Sequence, residues 1–176
     1  TCHDPHQATH PDESGKSAQL RQHGNVTIPV GVTIKAGESA ACVSCHGNNR
    51  NKQYMQDYLA GNRVRPTHEN PQVDVLFGLK ESAFDFGESL SGSSPHAELA
   101  KNLCVTCHMA ANPVLDPGKD GQMGTRDDVR ALNIGGHSFA MAGEVEGKGR
   151  LENIASCEGS GCHAEGSLKS FNREAR

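Results

Sequence analysis

The sequence predicts a mostly irregular, coil-rich fold with short α-helices and a small β-hairpin or strand. Leu, Ile, Val and Phe together make up about 18% of the 176 residues, which is little side-chain volume for a core. Gly, Ser, Asn and Pro are spread between the few apolar stretches and favour turns and loops. The formal net charge is only −4, so charge-driven disorder does not explain the composition. We therefore expect something other than side chains to fill the interior.

The clearest secondary-structure signal is residues 26–34, in which Val or Ile alternates with Thr, Pro or Gly. A period of two predicts a strand or a hairpin arm. Pro29 favours a bend or an edge strand. Two interpretations stay open: a half-buried local strand, or an edge strand that pairs with a neighbouring subunit. Short helices are expected over 52–60, 96–108 and 125–132.

Composition and motif content argue against several classes of protein. No apolar run approaches the roughly 20 residues of a membrane-spanning helix. The 17 basic residues are scattered and only 7 residues are aromatic, so the basic stripe of a nucleic-acid binder is missing. No Ser/His/Asp triad, phosphate loop or dinucleotide fingerprint is present. We expect one domain over 1–176, with residues missing upstream of Thr1.

Six of the seven cysteines form three pairs, and the second Cys of each pair directly precedes a histidine. Two pairs have the C-x-x-C-H spacing of covalent c-type haem attachment. This spacing lets two thiols bond the two vinyl groups of one porphyrin edge while the next imidazole binds the iron. The third pair is looser, with four residues between its cysteines. The pairs are Cys42-Val-Ser-Cys45-His46, Cys104-Val-Thr-Cys107-His108 and Cys157-Glu-Gly-Ser-Gly-Cys162-His163.

The seventh cysteine begins the chain as Thr1-Cys2-His3, which matches the end of a fourth motif whose first Cys is absent. Either residues upstream of Thr1 are missing or a single thioether holds this haem, and we favour the first. A disulfide framework would leave one Cys over and would not explain the histidines. A zinc ribbon is disfavoured because 58 residues lie between Cys45 and Cys104. The cysteines therefore predict four c-type haems.

The chain has enough histidines to give each of the four predicted irons two imidazole ligands. An iron with two imidazole ligands favours electron transfer over substrate binding. In the three best candidates for the second, distal iron ligand, a Pro or Gly shortly before the histidine favours a turn. Two more are weaker candidates, and His10 is expected at the surface. The predicted proximal ligands are His3, His46, His108 and His163, the best distal candidates are His68, His96 and His137, and the weaker ones are His6 and His23.

Residues 116–128 form a Gly-rich acidic run whose carboxylates are suited to Ca²⁺, a hard cation that prefers oxygen ligands. The run does not match the EF-hand pattern, and a solvated surface loop is the alternative interpretation. The candidate ligands are Asp116, Asp120, Asp127 and Asp128.

Four haems give one cofactor per about 44 residues, too little polypeptide to insulate each haem from the next. The haems are therefore expected to lie close together and to form a chain that conducts electrons. The surrounding protein fixes their ligands, spacing and local polarity.

Taken together, the motifs resemble multihaem c-type cytochromes over most of the chain. Size and haem count are similar to the OmcE-type tetrahaem cytochromes that form extracellular nanowires. The resemblance implies a multihaem architecture wrapped around a stack of bis-histidine haems. It also implies a homopolymer whose subunits can share a ligand, here an N-terminal His, across their interface. The missing first Cys and the stretched third motif depart from the family pattern.

The leading hypothesis for function is an extracellular, filamentous electron conduit that receives electrons from cytochromes and passes them to external acceptors. A periplasmic tetrahaem shuttle is the alternative. An enzyme such as a multihaem nitrite reductase or hydroxylamine oxidoreductase, or a fragment of one, is disfavoured by the surplus of His and the lack of a C-x-x-C-K site. Export is expected because covalent haem attachment is completed outside the bacterial cytoplasm in this family. No nucleic acid and no membrane span are expected.

Overall fold

The structure is a computed structural model, and it describes residues 2–3, 20–47, 52–62, 72–79, 93–158, 163–164, 166–168 and 170. The elements in these ranges are short helices and three two-stranded antiparallel sheets. The helices are Ala40–His46 (α1), Lys52–Leu59 (α2), Gln72–Phe77 (α3), Pro95–Leu99 (α4), Cys104–His108 (α5) and Ala155–Glu158 (α6). The strands are Gly24–Thr27 (β1), Thr33–Gly37 (β2), Val114–Asp116 (β3), Val129–Arg130 (β4), Ala142–Val145 (β5) and Gly149–Glu152 (β6).

The chain divides into two compact units, Thr1–Leu103 and Cys104–Arg176. The first unit holds β1, β2 and α1 to α4, and the second holds the remaining elements. The boundary falls directly before the second C-x-x-C-H motif. The single domain expected from the sequence stays a prediction.

The alternating stretch forms a hairpin, with β1 antiparallel to β2 and Val26 opposite Ile34. Pro29 lies in the connecting turn, where its missing N–H costs no ladder hydrogen bond. The inward side chains of this hairpin are Ile28, Ile34 and Ala36, each buried. The hairpin provides the surface against which α1 packs.

Helix α1 is fixed by small and apolar residues on its inner face. Ala40 and Val43 are fully buried, and the hydroxyl of Ser39 at its start donates to the carbonyl of Asn102 at 2.5 Å. Gly47 ends the helix, and a Cβ there would meet Ile28 Cγ2 at 2.7 Å. The close approach of backbone and hairpin thus requires glycine directly after the first C-x-x-C-H motif.

Two of the three expected helices differ from the structure. The helix expected over 52–60 is α2, but the one expected over 96–108 is split into α4 and α5. The split occurs because Ala100 is extended and Leu103 has a φ of 46°, which no α-helix contains. The helix expected over 125–132 is wrong, since β4 and turns occupy that range. Asp127 and Asp128 accept backbone N–H groups of the loop, and this bonding competes with a helix.

The interior of the second unit is held by amide side chains as much as by apolar ones. Ile134 is fully buried, and its carbonyl accepts a hydrogen bond from Asn112 Nδ2 at 2.6 Å. Asn153, 2% exposed, donates from Nδ2 to the carbonyl of Ala111 at 3.0 Å. The first bond ties the segment after α5 to the loop that follows β4, and the second ties it to the residue that follows β6.

The described ranges bury few large apolar side chains. Several others are more than half exposed, namely Tyr58, Leu59, Leu99 and Leu132. In the same ranges, every helix is too short or too polar to cross a membrane.

Candidate functional site

The first C-x-x-C-H motif lies on α1, where Cys42, Cys45 and His46 stand three and four residues apart. Side chains with that spacing share one face of a helix. Cys42 is half-buried, while Cys45 and His46 are exposed. The His46 ring is bonded through Nδ1 to Oε1 of Gln72, the first residue of α3, at 3.2 Å.

The second motif repeats this arrangement on α5. Cys104 and Cys107 are half-buried, and His108 is exposed at the end of the helix. Nδ1 of His108 lies 2.9 Å from the backbone carbonyl of Phe139. The two complete motifs therefore share a local structure: a short helix with both thiols on one face and a histidine bonded through Nδ1 to an oxygen.

The loop that offers its carbonyl to His108 has an unusual backbone. Phe139 is in the left-handed conformation, with φ 57° and ψ 1°. Gly136 begins the short 3-10 helix that contains His137, and its N–H donates to the carbonyl of Ala110 at 2.8 Å. The His137 and Phe139 rings are 6.3 Å apart. The structure thus brings a distal candidate, His137, into the loop that contacts a proximal candidate.

The hydrogen bonds determine which ring nitrogen is left to bind a metal. A backbone carbonyl oxygen only accepts, so Nδ1 of His108 carries the hydrogen. The contact of Nδ1 of His46 with Oε1 of Gln72 fits the same tautomer. The lone pair of Nε2 is then the one that can bind iron. Two thiols on one helical face followed by a histidine of this tautomer fit the attachment of a c-type haem.

The stretched third motif is described only in part. Cys157 lies on α6 and is half-buried, His163 is half-buried, and Cys162 lies outside the described residues. Helix α6 packs against α5, so the second and third motifs are neighbours within the second unit. Glu158 Oε1 accepts the N–H of Gly166 at 2.9 Å, which ties α6 to the segment after His163.

The truncated N-terminal motif is joined to the segment before β1. His3 forms an isolated antiparallel bridge with Leu20. The N–H of Arg21 donates to the carbonyl of Cys2 at 2.8 Å, and its Nε donates to the carbonyl of His3 at 3.2 Å. Cys2 and His3 are exposed. The chain start is therefore held beside the segment that leads to His23.

Two of the distal candidates lie in the first unit in different settings. His23 is half-buried and lines a cavity of about 370 Å³, together with Arg21 and with Ser44 of α1. His96 is exposed on α4, 3.4 Å through Nδ1 from the hydroxyl of Ser94. Ser94 caps this helix by accepting the N–H of His96 at 3.3 Å. His6, His10 and His68 lie outside the described residues.

No disulfide joins any of the six described motif cysteines. These six include both cysteines of the C-x-x-C pair on α1 and both cysteines of the pair on α5. Thiols, rather than disulfides, are the form that adds to porphyrin vinyl groups.

The four acidic residues considered for Ca²⁺ lie at the end of β3 and in the loop that follows. Asp116, Asp120, Asp127 and Asp128 each accept at least one backbone N–H. Asp128 also pairs with Arg130 at 2.6 Å. Across the part of the chain that the structure describes, no group of three or more His, Cys, Asp or Glu side chains is placed to hold a metal ion. The calcium hypothesis stays a prediction.

Asp127 is the best-bonded carboxylate of this loop. The Thr125 hydroxyl donates to its Oδ1 at 2.8 Å, and the backbone N–H groups of Lys119 and Asp120 donate to Oδ2. These bonds, with that of Thr125 the largest, lower the pKa of Asp127 below its ordinary value. The stabilisation they give is present above the unfolded-state pKa, near pH 4, and is lost as the pH falls through the lower folded-state value.

Replacing Thr125 with valine is expected to raise the pKa of Asp127 toward its ordinary value, because the largest stabilising bond to the carboxylate is removed. The side-chain carboxyl carbon followed by NMR during an acid titration measures this shift. Thr33→Val, on the exposed side of β2, is the matched control and should leave the titration of Asp127 unchanged. An unaltered midpoint in Thr125→Val would contradict the assigned cause.

No sequence motif identifies Gln72 or the carbonyl of Phe139 as partners of the histidines. Gln72 is 26 residues from His46 and belongs to no motif, so no local signal identifies it. The Gly135-Gly136 pair before His137 indicates an unusual turn, but it does not show that this turn brings the carbonyl of Phe139 close to His108. Both contacts arise only from tertiary packing.

Comparison with protein-family models, with curated proteins and with solved structures finds no match to this chain.

Proposed function

We propose that this protein is an electron-transfer protein that carries four covalently bound c-type haems. The observation that carries the proposal is the common structure of the two complete motifs. Each places two thiols on one face of a short helix and ends in a histidine whose Nδ1 is bonded to an oxygen. A disulfide framework gives no reason for this histidine tautomer, whereas a metal ligand requires it. Zinc is disfavoured on a separate ground, the 58 residues between Cys45 and Cys104.

When bound, the haem supplies an iron that takes up one electron from a donor and releases it to an acceptor. The residues of this chain hold and tune it. Cys42 and Cys45 on α1, and Cys104 and Cys107 on α5, anchor the porphyrin edges. His46 and His108 would each supply one iron ligand, and other histidines, of which His96 and His137 are the best described candidates, would supply the second.

Proximity between motifs supports conduction along a chain of haems. The packing of α5 against α6 makes the Cys104 and Cys157 sites neighbours. Arg21 joins the Cys2 site to the segment before β1, and β1 packs against α1. The small number of buried large side chains among the described residues agrees with an interior that is partly porphyrin. The resemblance to nanowire cytochromes extends the proposal to an exported protein that polymerises and conducts electrons to extracellular acceptors.

Optical and electron paramagnetic resonance spectra of the oxidised protein test the electron-carrier proposal. Because two imidazoles close each iron, all the haems are expected to be low-spin. A stoichiometric high-spin haem would indicate an open iron and would support an enzyme instead.

Electron microscopy of the native, unconcentrated protein tests the polymer. Uniform filaments with continuous density along their axis are expected. Discrete particles would contradict polymerisation and would favour the soluble periplasmic shuttle.

A further inference from the structure

Gln72 contacts one iron-ligand candidate and belongs to no cofactor motif. Its Oε1 lies 3.2 Å from Nδ1 of His46, where it accepts the ring hydrogen when Nδ1 is protonated. The corresponding contact of His108 is made by the backbone carbonyl of Phe139, at 2.9 Å. One of the two complete motifs therefore has a side chain as the acceptor, and the other has the main chain.

The position of Gln72 is set by the packing of α3. Val73, the next residue, is 1% exposed, and α3 packs against α1 and α4. At the far end of α3, the carbonyl of Leu76 accepts the N–H of Ser94 at 2.8 Å. A helix held at both ends presents its first side chain to His46 in a defined place.

An acceptor on Nδ1 changes the chemistry at Nε2. As Nδ1–H donates more strongly, the ring gains electron density and Nε2 becomes a stronger donor to iron. A stronger donor stabilises Fe(III) relative to Fe(II) and lowers the reduction potential. The neutral amide of Gln72 is thus a moderate acceptor, and substitution can strengthen or remove it.

We propose that Gln72 is a positioning residue that tunes the reduction potential of the haem attached to Cys42 and Cys45 by accepting the Nδ1 hydrogen of His46. The inference rests on the proposed function, since it requires a haem at this motif. Because the acceptor at this site is a side chain, the strength of the hydrogen bond to His46 depends on which residue occupies position 72.

The test is a potentiometric titration of the haem-loaded protein followed by visible absorption. Gln72→Leu removes the acceptor and is expected to move one of the four reduction transitions to a higher potential. Gln72→Glu keeps the length of the side chain and supplies a carboxylate, so the same transition is expected to move to a lower potential. Gln56→Leu makes the same change at an exposed position of α2 and is expected to leave all transitions in place.

Opposite shifts in the two Gln72 variants separate tuning from a structural effect, because loss of packing would move both variants in one direction. Shifts of the same sign, or unchanged potentials in both variants, would overturn the inference. If Gln72→Leu does not fold, Gln72→Asn decides, because it withdraws the acceptor from His46 without adding a charge, and an unchanged potential in that variant would overturn the inference. A wild-type protein without covalent haem would instead refute the proposed function, and its spectrum shows this before any variant is made.

Discussion

Replacing both Cys104 and Cys107 with serine is expected to lower the number of covalently bound haems by one, from the proposed four to three. Both thiols lie on α5 beside His108, and serine hydroxyls do not form thioether bonds with vinyl groups. The mass of the denatured protein measures the change directly. Thr106→Ser alters the same helix without touching a thiol, and it is expected to retain four haems.

The same substitution is expected to lower the free energy of unfolding of the second unit. Helix α5 packs against α6, and the buried residues of this unit in the described ranges are few. Loss of the proposed porphyrin would remove buried apolar area, which contributes stability in proportion to its size. An unchanged haem count in the double variant would show that Cys104 and Cys107 do not attach haem.

Replacing Gly135 with alanine is expected to destabilise the protein by about 3–4 kcal/mol, from backbone strain together with overpacking. Gly135 has φ 73° and ψ −173°, a conformation that essentially only glycine adopts. A Cβ there would also collide with the carbonyl of Ala110 and meet Asn153 Nδ2 at 2.8 Å. The loop that carries His137 and the Phe139 carbonyl would have to move.

Urea denaturation followed by far-ultraviolet circular dichroism measures this loss. Gly147→Ala is the matched control, because Gly147 has φ 74° in the turn between β5 and β6 and no atom within 4 Å of an added Cβ. It is expected to cost about 1–2 kcal/mol, the backbone term alone. Equal losses in the two variants would contradict the tight packing of Gly135 against the segment after α5.

The local parts of this structure follow from local sequence patterns. The alternation over 26–34 predicts a strand or a hairpin arm and Pro29 favours a bend or an edge, because side-chain period and the missing N–H are properties of the residues themselves. The structure has the bend, with β1 ending at Thr27 and β2 beginning at Thr33. The spacing of the C-x-x-C-H motifs likewise places thiols and histidine on one helical face once a helix forms. These features need no knowledge of distant residues.

The features that the sequence did not predict depend on longer contacts or on side-chain competition. The helix expected over 125–132 is absent because Asp127 and Asp128 bond the N–H groups of a loop. The acceptors for His46 and His108 come from residues 26 and 31 positions away. Neither a periodicity nor a motif encodes such contacts, and the same reason leaves the pairing of distal histidines with haems unpredicted.

The most direct test of the central claim is the intact mass of the purified protein after denaturation, together with acid–acetone extraction of its colour. Because the cysteines are proposed to hold haem covalently, the mass should equal that of the polypeptide plus four haems, and the colour should stay with the protein. A mass equal to the polypeptide alone, or to the polypeptide with only disulfides, would contradict the account.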